Sequence, residues 1–255
     1  QLANHWRAWR YTVTIGPRTA LGESLGLLHV DQTRVSPTIL PEPNDSSCLL
    51  NGKVLDISKS SFSSLRLLPD DRWSGSVIVK SNLNCFGNPE RQLRKAGLAE
   101  KIHRTLARRN WQLARRLPYN NYPILHTIDE VPGWVWRRHD LIVERFLPER
   151  VGAAYAIRGW LFFGERGYAY RLYSPNPVVK AGNISHFDIL DSVPQELQVI
   201  RRQLGFDFGK FDYVEVEGRA VLIDINKTPT TVAKQDSPRL RELAEGIRDF
   251  PGMGN

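Results

Sequence analysis

The stretch Phe211-Asp-Tyr-Val-Glu-Val-Glu-Gly-Arg-Ala-Val-Leu-Ile-Asp-Ile-Asn226 alternates apolar and polar residues on either side of a glycine-containing turn, the pattern of a β-hairpin with one buried face. It carries Asp212 on its first strand and Asp224 and Asn226 on its second. Hard oxygen donors of this kind, beside nucleotide phosphates, are what magnesium takes as ligands. Whether they converge is a question of register, because successive side chains of a strand point to opposite faces. Asp212 and Asp224 share a face only when the residue numbers paired across the ladder sum to an even value. A three-residue loop, Glu217-Gly218-Arg219, gives that register, and a two-residue turn puts the carboxylates on opposite faces. The competing reading of the stretch is a surface hairpin with scattered acids.

Working outward from the hairpin, Gly205 ends a predicted helix whose start carries Ser192 and Gln195 at capping-box spacing, with Pro194 in the first turn. Upstream of it, two long aromatic-rich strands, 153–163 and 168–173, are joined across Gly164–Gly167. Downstream, Ser237 and Pro238 open a last helix with Leu240, Leu243 and Ile247 at helical spacing. Ser76–Lys80 and Leu141–Phe146 read as strands of an earlier lobe, with a further strand near Ile124 and a basic helix between 89 and about 116. Residues 1–75, rich in Ser, Pro and Asn, read as a loop-rich cap with short strands at 26–30 and 54–57. The expected organisation is thus a reduced N-terminal cap (1–75), a first lobe with its hinge (76–149) and a second lobe (150–255).

The ordered pieces resemble those of the ATP-grasp superfamily, over roughly residues 76–250. Asp224-x-Asn226 resembles the acidic-x-Asn end of that core, followed by Lys227-Thr-Pro-Thr230. Val77-Ile-Val-Lys80 resembles the strand whose lysine touches ATP phosphates, and Leu141-Ile-Val-Glu-Arg-Phe-Leu-Pro-Glu149 resembles the hinge between the lobes. The resemblance implies an α+β ATP-grasp fold, two α+β lobes holding ATP between two antiparallel sheets, with ATP and Mg2+ as cofactors. It implies a metal site of Asp212, Asp224 and Asn226, and nucleotide contacts from Lys80, Glu144, Arg145, Phe146, Glu149, Lys180 and Asn183. Within that set, Glu144 and the backbone around Phe146 are assigned to the adenine edge, and Glu149 to the ribose. Arg158 and Arg171 are expected to face the phosphates or the activated carboxylate, where a guanidinium suits bidentate recognition.

The family's prevalent chemistry implies a ligase that activates a small-molecule or peptide carboxylate as an acyl phosphate and joins it to an amine. A phosphotransferase acting on a small anionic metabolite and a nucleotide-binding module without turnover are the alternatives. The sequence departs from the family pattern in having only Gly87 in the loop after Lys80, Asp224 for the commoner Glu, and Thr230 where Gly is common.

Other classes fit worse. Asp207-Phe-Gly209 spells the kinase metal triplet, but too little chain follows it for an activation segment and helical lobe, and Arg138-His-Asp140 lacks the downstream Asn. His103 and His186 have no nucleophile at a recognisable spacing, and the aromatic run from Trp160 to Tyr173 at strand period reads as core. Cys48 and Cys85 are too few for a disulfide framework or a zinc site. Of the net charge of +8, most falls in 89–118, which holds nine Lys or Arg against Glu90 and Glu100. A solvated helix face explains that, an anionic partner is the sharper expectation, and nucleic acid is not expected. No apolar run approaches the roughly 20 residues of a membrane span, and no signal pattern opens the chain, which places it in the cytoplasm. The chain opens at Gln1 and its sole methionine is Met253, which reads as a trimmed or partial product.

Overall fold

A computed structural model describes residues 1–17, 24–42, 47–92, 105–119, 121–230 and 237–253. Two antiparallel sheets carry the fold. The smaller has the order β4-β3-β5, formed by β3 (Val77–Ser81), β4 (Ile124–Leu125) and β5 (Leu141–Arg145). Val77, Val79 and Val143 turn to one face and pack with Leu67, Ile128, Val131 and Val135. Ile78, Lys80, Ile142 and Glu144 take the other face, as period-two alternation requires.

The larger sheet has the order β11-β10-β7-β8-β9, with β6 (Glu149–Val151) pairing with the start of β7 (Ala154–Phe163). Its other strands are β8 (Arg166–Ser174), β9 (His186–Leu190), β10 (Phe208–Val216) and β11 (Arg219–Asn226). Both faces of β7 are covered at its far end, which is why its sequence there is continuously apolar. Trp160 and Phe162 meet Leu197 of helix Gln195–Leu204, together with Phe206 and Phe211. Leu161 and Phe163 meet Leu240 and Leu243 of helix Pro238–Glu245. Burying aromatic and aliphatic side chains on this scale stabilises by about 1.5–3 kcal/mol each.

Phe146, Leu147 and Pro148 carry the chain from β5 in the small sheet to β6 in the large one, within the stretch 141–149 that the sequence reading takes as a hinge. Helix Gln195–Leu204 ends at Gly205 in the left-handed conformation, φ +71°, as expected. The capping box does not form: Pro194 is the N-cap, and no side chain bonds the helix start. The expected strand at 54–57 is only an isolated bridge, Arg34 to Asp56. Two short strands pair in parallel instead, β1 (Leu25–Leu27) and β2 (Cys48–Leu50), the second of which the sequence did not suggest.

Apolar side chains spread along the first 62 residues pack into the cores of the large sheet. Leu2, Trp6 and Tyr11 join Leu240 and Leu243, while Val54, Ile57 and Phe62 join Phe211 and Ile225. Asn51 fastens this segment down. Its carboxamide Oδ1 accepts from the Asp207 and Phe208 amides at 2.9 and 3.1 Å, and its Nδ2 donates to the Phe208 carbonyl at 2.8 Å. The middle of the basic stretch, 93–104, lies outside the described residues, with a short helix, Asn88–Gln92, before it. Among the described residues no helix is long and apolar enough to cross a membrane.

Candidate nucleotide site

β10 and β11 meet at a two-residue turn, not the expected three-residue loop: Val216 pairs with Arg219 across Glu217-Gly218, both at positive φ (+52° and +74°). Carried along the ladder, that register would split the carboxylates. The register shifts between Tyr213 and Asp212, however, because Tyr213 pairs with Leu222 while Asp212 pairs with Asp224. Ile223 is the extra residue, a β-bulge that restores the phase and sets the two carboxylates directly opposite each other. Released from the ladder, Ile223 offers its carbonyl to Lys80 Nζ of the small sheet at 3.0 Å. The two sheets are therefore joined at the residue that brings the acids together.

Glu144, Asp212 and Asp224 each have an ammonium partner. Lys80 Nζ lies 2.7 Å from Glu144 Oε2, the diagonal neighbour on its own face, and Glu144 is only 1% exposed. Lys210, two residues before Asp212 on the same face, lies 2.8 Å from Asp212 Oδ2. Lys59 lies 3.0 Å from Asp224 Oδ1, itself 2% exposed against 37% for the Asp224 side chain. Burial pushes the Asp212 carboxyl up, against the pull of Lys210. On Asp224 burial is outweighed by Lys59 and then Lys80, which hold its carboxyl below the usual range. For Lys210 the lowering effect of burial is more than reversed by Asp212 and Tyr170, so its ammonium is held firmly. Tyr170 lies over Gly159, where a Cβ would come within 2.4 Å of its ring, so only glycine leaves room for that ring beside Lys210. Burial lifts the Tyr170 phenol to about 12.

The donor set suits magnesium in kind. Two carboxylates share a face, each with one oxygen that makes no hydrogen bond among the described residues, Asp212 Oδ1 and Asp224 Oδ2. Asn226 follows on the same face of β11, but its Oδ1 accepts from the Thr228 amide at 2.8 Å, so it would have to share that oxygen with a metal. Among the described residues no group of three or more His, Cys, Asp or Glu side chains is placed to hold a metal ion.

Other residues singled out by the sequence fall as follows. Arg145 donates to the Ser64 carbonyl and its guanidinium lies over Trp73, while Phe146 donates its amide to the Ser76 carbonyl. Lys180 Nζ sits 4.7 Å from the ring centroids of Phe86 and Tyr122, which stack on each other, and burial lowers its ammonium to about 8. Asn183 turns inward to its own loop, accepting from the Lys180 amide and donating to the Val178 carbonyl. Burial pushes the Tyr122 phenol up, with Asp224 and Glu144 adding to it, which puts this ring among the charges of the cleft.

Arg158 and Arg171 are not brought to this cluster. Asp212 pairs with Gly159, so Arg158, one residue away, points to the opposite face of the sheet together with its partner Arg171. There Arg158 donates to both oxygens of Glu149, from Nη2 to Oε1 at 2.8 Å and from Nε to Oε2 at 3.0 Å, and also meets Glu215. Glu149 accepts in addition from the Glu215 amide at 2.8 Å, which ties the end of the hinge to β10.

Sequence reasoning missed Lys59, Lys210 and Lys227. Lys210 had a signal, since a lysine two residues from an acid on one strand shares its face; Lys59 had none. Lys227 is 0% exposed and, among the described residues, donates a single long bond, 3.4 Å, to the Val54 carbonyl. Burial lowers its ammonium to about 8 in spite of Asp56, Asp31 and Glu90. Because the unfolded chain still binds the proton that folded Lys227 has lost, stability should rise as pH climbs from about 8 toward the ordinary lysine value. Urea midpoints across that window should show a smaller rise in Lys227→Met; an undiminished rise would assign the effect elsewhere.

Two antiparallel sheets joined by a short connection, with a strand lysine on one and a cross-strand carboxylate pair followed by Asn on the other, are the α+β arrangement that the resemblance to the ATP-grasp superfamily implies. No family model matches the sequence, and no curated protein does either. Among solved structures, the chain is similar to the macrocyclase MdnC of Microcystis aeruginosa MRC, bound with precursor peptide MdnA. The identity is 12% and the TM-score 0.39, over 68% of this chain and 47% of that one. It is also similar to a RiPP-associated ATP-grasp ligase of Chryseobacterium gregarium in complex with ADP and a leader and core peptide (12%, 0.35, 51% and 44%). A third is the D-alanine–D-alanine ligase of Bacillus anthracis complexed with ATP (13%, 0.32, 50% and 47%). The chain spans less than half the length of each of these three.

Proposed function

We propose that the chain binds Mg-ATP between its two sheets and uses it to activate a small-molecule or peptide carboxylate as an acyl phosphate, which an amine then captures as an amide. The observation that supports this best is the contact of Lys80 with the Ile223 carbonyl, at the bulge that sets Asp224 opposite Asp212. A lysine suited to phosphate and an acid pair suited to magnesium thereby share one small volume. Asp212, Asp224 and Asn226 would hold the metal, which when bound supplies charge stabilisation to the transferring phosphoryl group. Glu144 orients Lys80. Arg145 and the backbone around Phe146 offer the hinge edge to adenine, and Lys180 adds a phosphate contact. With Arg158 and Arg171 engaged on the far face, stabilising the developing charge falls to Lys59, Lys80 and Lys210.

Thermal melting tests the first half. Mg-ATP at a hundredfold over its dissociation constant should add about 2.7 kcal/mol to the wild type and nothing to Asp224→Ala. No shift in the wild type would end the proposal. For the chemistry, a carboxyl-oxygen-18 substrate should pass label to phosphate, and unlabelled phosphate beside genuine product would refute the acyl phosphate.

One observation favours a reading without turnover. The loop after β3 places Phe86, at φ +59°, against Tyr122 and Lys180 where a glycine-rich flap would lie in this fold. Release of ADP in the presence of substrate separates the two readings.

A further inference from the structure

We propose that Lys59 and Lys210 gate the acid pair, so that a divalent cation enters only together with a polyphosphate able to take over the two ammonium groups. This rests on the nucleotide reading above, since a nucleotide is the polyphosphate in question.

The pairing is one to one. Lys59 holds Asp224 at 3.0 Å, Lys210 holds Asp212 at 2.8 Å and Lys80 holds Glu144 at 2.7 Å. Neither gating lysine is a loose surface group. Lys59 belongs to the helical turn Lys59–Phe62, which Asn82 pins. The Asn82 carbonyl accepts from the Lys59 amide at 3.2 Å, its Oδ1 accepts from the Ser60 amide at 2.8 Å, and its Nδ2 donates to Ser60 Oγ and to the His139 carbonyl. Asn82 is two residues beyond Lys80, so the same piece of backbone places both lysines over the large sheet. Lys210 is confined from its other side by Tyr170, which lies in the space above Gly159.

The three ion pairs balance one another, and Asp31, which accepts from Thr228 Oγ1 beside Asn226, and Lys180, over Phe86 and Tyr122, flank them as one further charge of each sign. A bare dication would add two charges at close range to fixed ammonium groups in a partly buried site, where such repulsion is poorly screened. Polyphosphate oxygens reverse that situation. They accept from Lys59 and Lys210, and the released carboxylate oxygens become available as ligands. Metal and polyphosphate then favour each other's binding by the same factor, as linkage requires.

The experiment is a titration of the full chain with Mn2+ alone, reading the free ion by electron paramagnetic resonance, in the wild type and in Lys59→Met/Lys210→Met. The double variant should bind bare Mn2+ at least tenfold more tightly than the wild type, a gain that the loss of a merely structural lysine would not give. With adenylyl imidodiphosphate present, the wild type should bind Mn2+ while the double variant loses at least tenfold in nucleotide affinity. Equal affinity for bare Mn2+ in the two folded proteins overturns the gate. So does tight binding of bare Mn2+ by the wild type that Asp224→Asn abolishes, an arm that needs no lysine variant to fold. A wild type that binds no nucleotide analogue, beside a double variant that gains the Mn2+ site, would sink the nucleotide reading and keep the gate.

Discussion

Lys80→Met is expected to lose about 3–5 kcal/mol of stability and all measurable nucleotide binding. The reason lies in what it leaves behind. Glu144 is buried with one oxygen, Oε1, that has no hydrogen-bond partner among the described residues, and Lys80 Nζ is the cation on the other. Removing the ammonium strands a carboxylate between the sheets and also unties the Ile223 carbonyl. Replacing both partners, Lys80→Met with Glu144→Leu, should recover most of the stability, because a buried pair exchanged for apolar groups of similar volume is close to neutral. It should not recover binding. Urea denaturation and titration with a fluorescent nucleotide measure the two quantities separately. A single variant as stable as the wild type would mean that the pair is not buried in solution, and a double variant that binds would remove Lys80 from the phosphate site.

Asn51→Ala is expected to cost about 3 kcal/mol or more, from the opposite end of the sequence. Three backbone groups at the start of β10, the Asp207 amide and both polar groups of Phe208, lose their partner at once. Each buried polar group left unsatisfied costs about 1–3 kcal/mol. Asn51 also sits at φ +56°, a conformation that Asn tolerates better than Ala. The segment it anchors runs on to Lys59, so weaker nucleotide binding should accompany the loss. A urea midpoint within about 1 kcal/mol of the wild type would show that the segment is held mainly by its apolar contacts.

The elements whose signals are local are legible in the sequence. Alternation marks the β10–β11 hairpin, the short runs at β3 and β5 read as strands, and Gly205 marks a helix end, because such signals act within a few residues. The pairing of Asp212 with Asp224 was posed correctly as a question of register, yet the answer came through a device that the alternation does not reveal. A tight Glu217-Gly218 turn takes the carboxylates out of phase and the bulge at Ile223 returns them. Ile223 ends the apolar run Ala220–Ile223, and a run of that kind fits a regular strand buried on both faces as well as a bulged one. Arg158 was misjudged for a related reason. Its phase relative to Asp212 is set by the β7–β10 pairing, a contact between residues far apart in the chain. Lys59 was invisible because it stands in no motif; it reaches Asp224 only through the fold of the first 62 residues and the grip of Asn82.

The bulge has a consequence for motion. Ile223 is the one residue of β11 beside the acids that the ladder with β10 leaves out, and its carbonyl is fastened instead by a lysine of the other sheet. Moving the two sheets apart at this point therefore breaks the hold on the bulged residue. Amide hydrogen exchange around Ile223 serves as a built-in gauge of how often the cleft opens, and a ligand that closes the cleft slows exchange there even where it touches none of those amides.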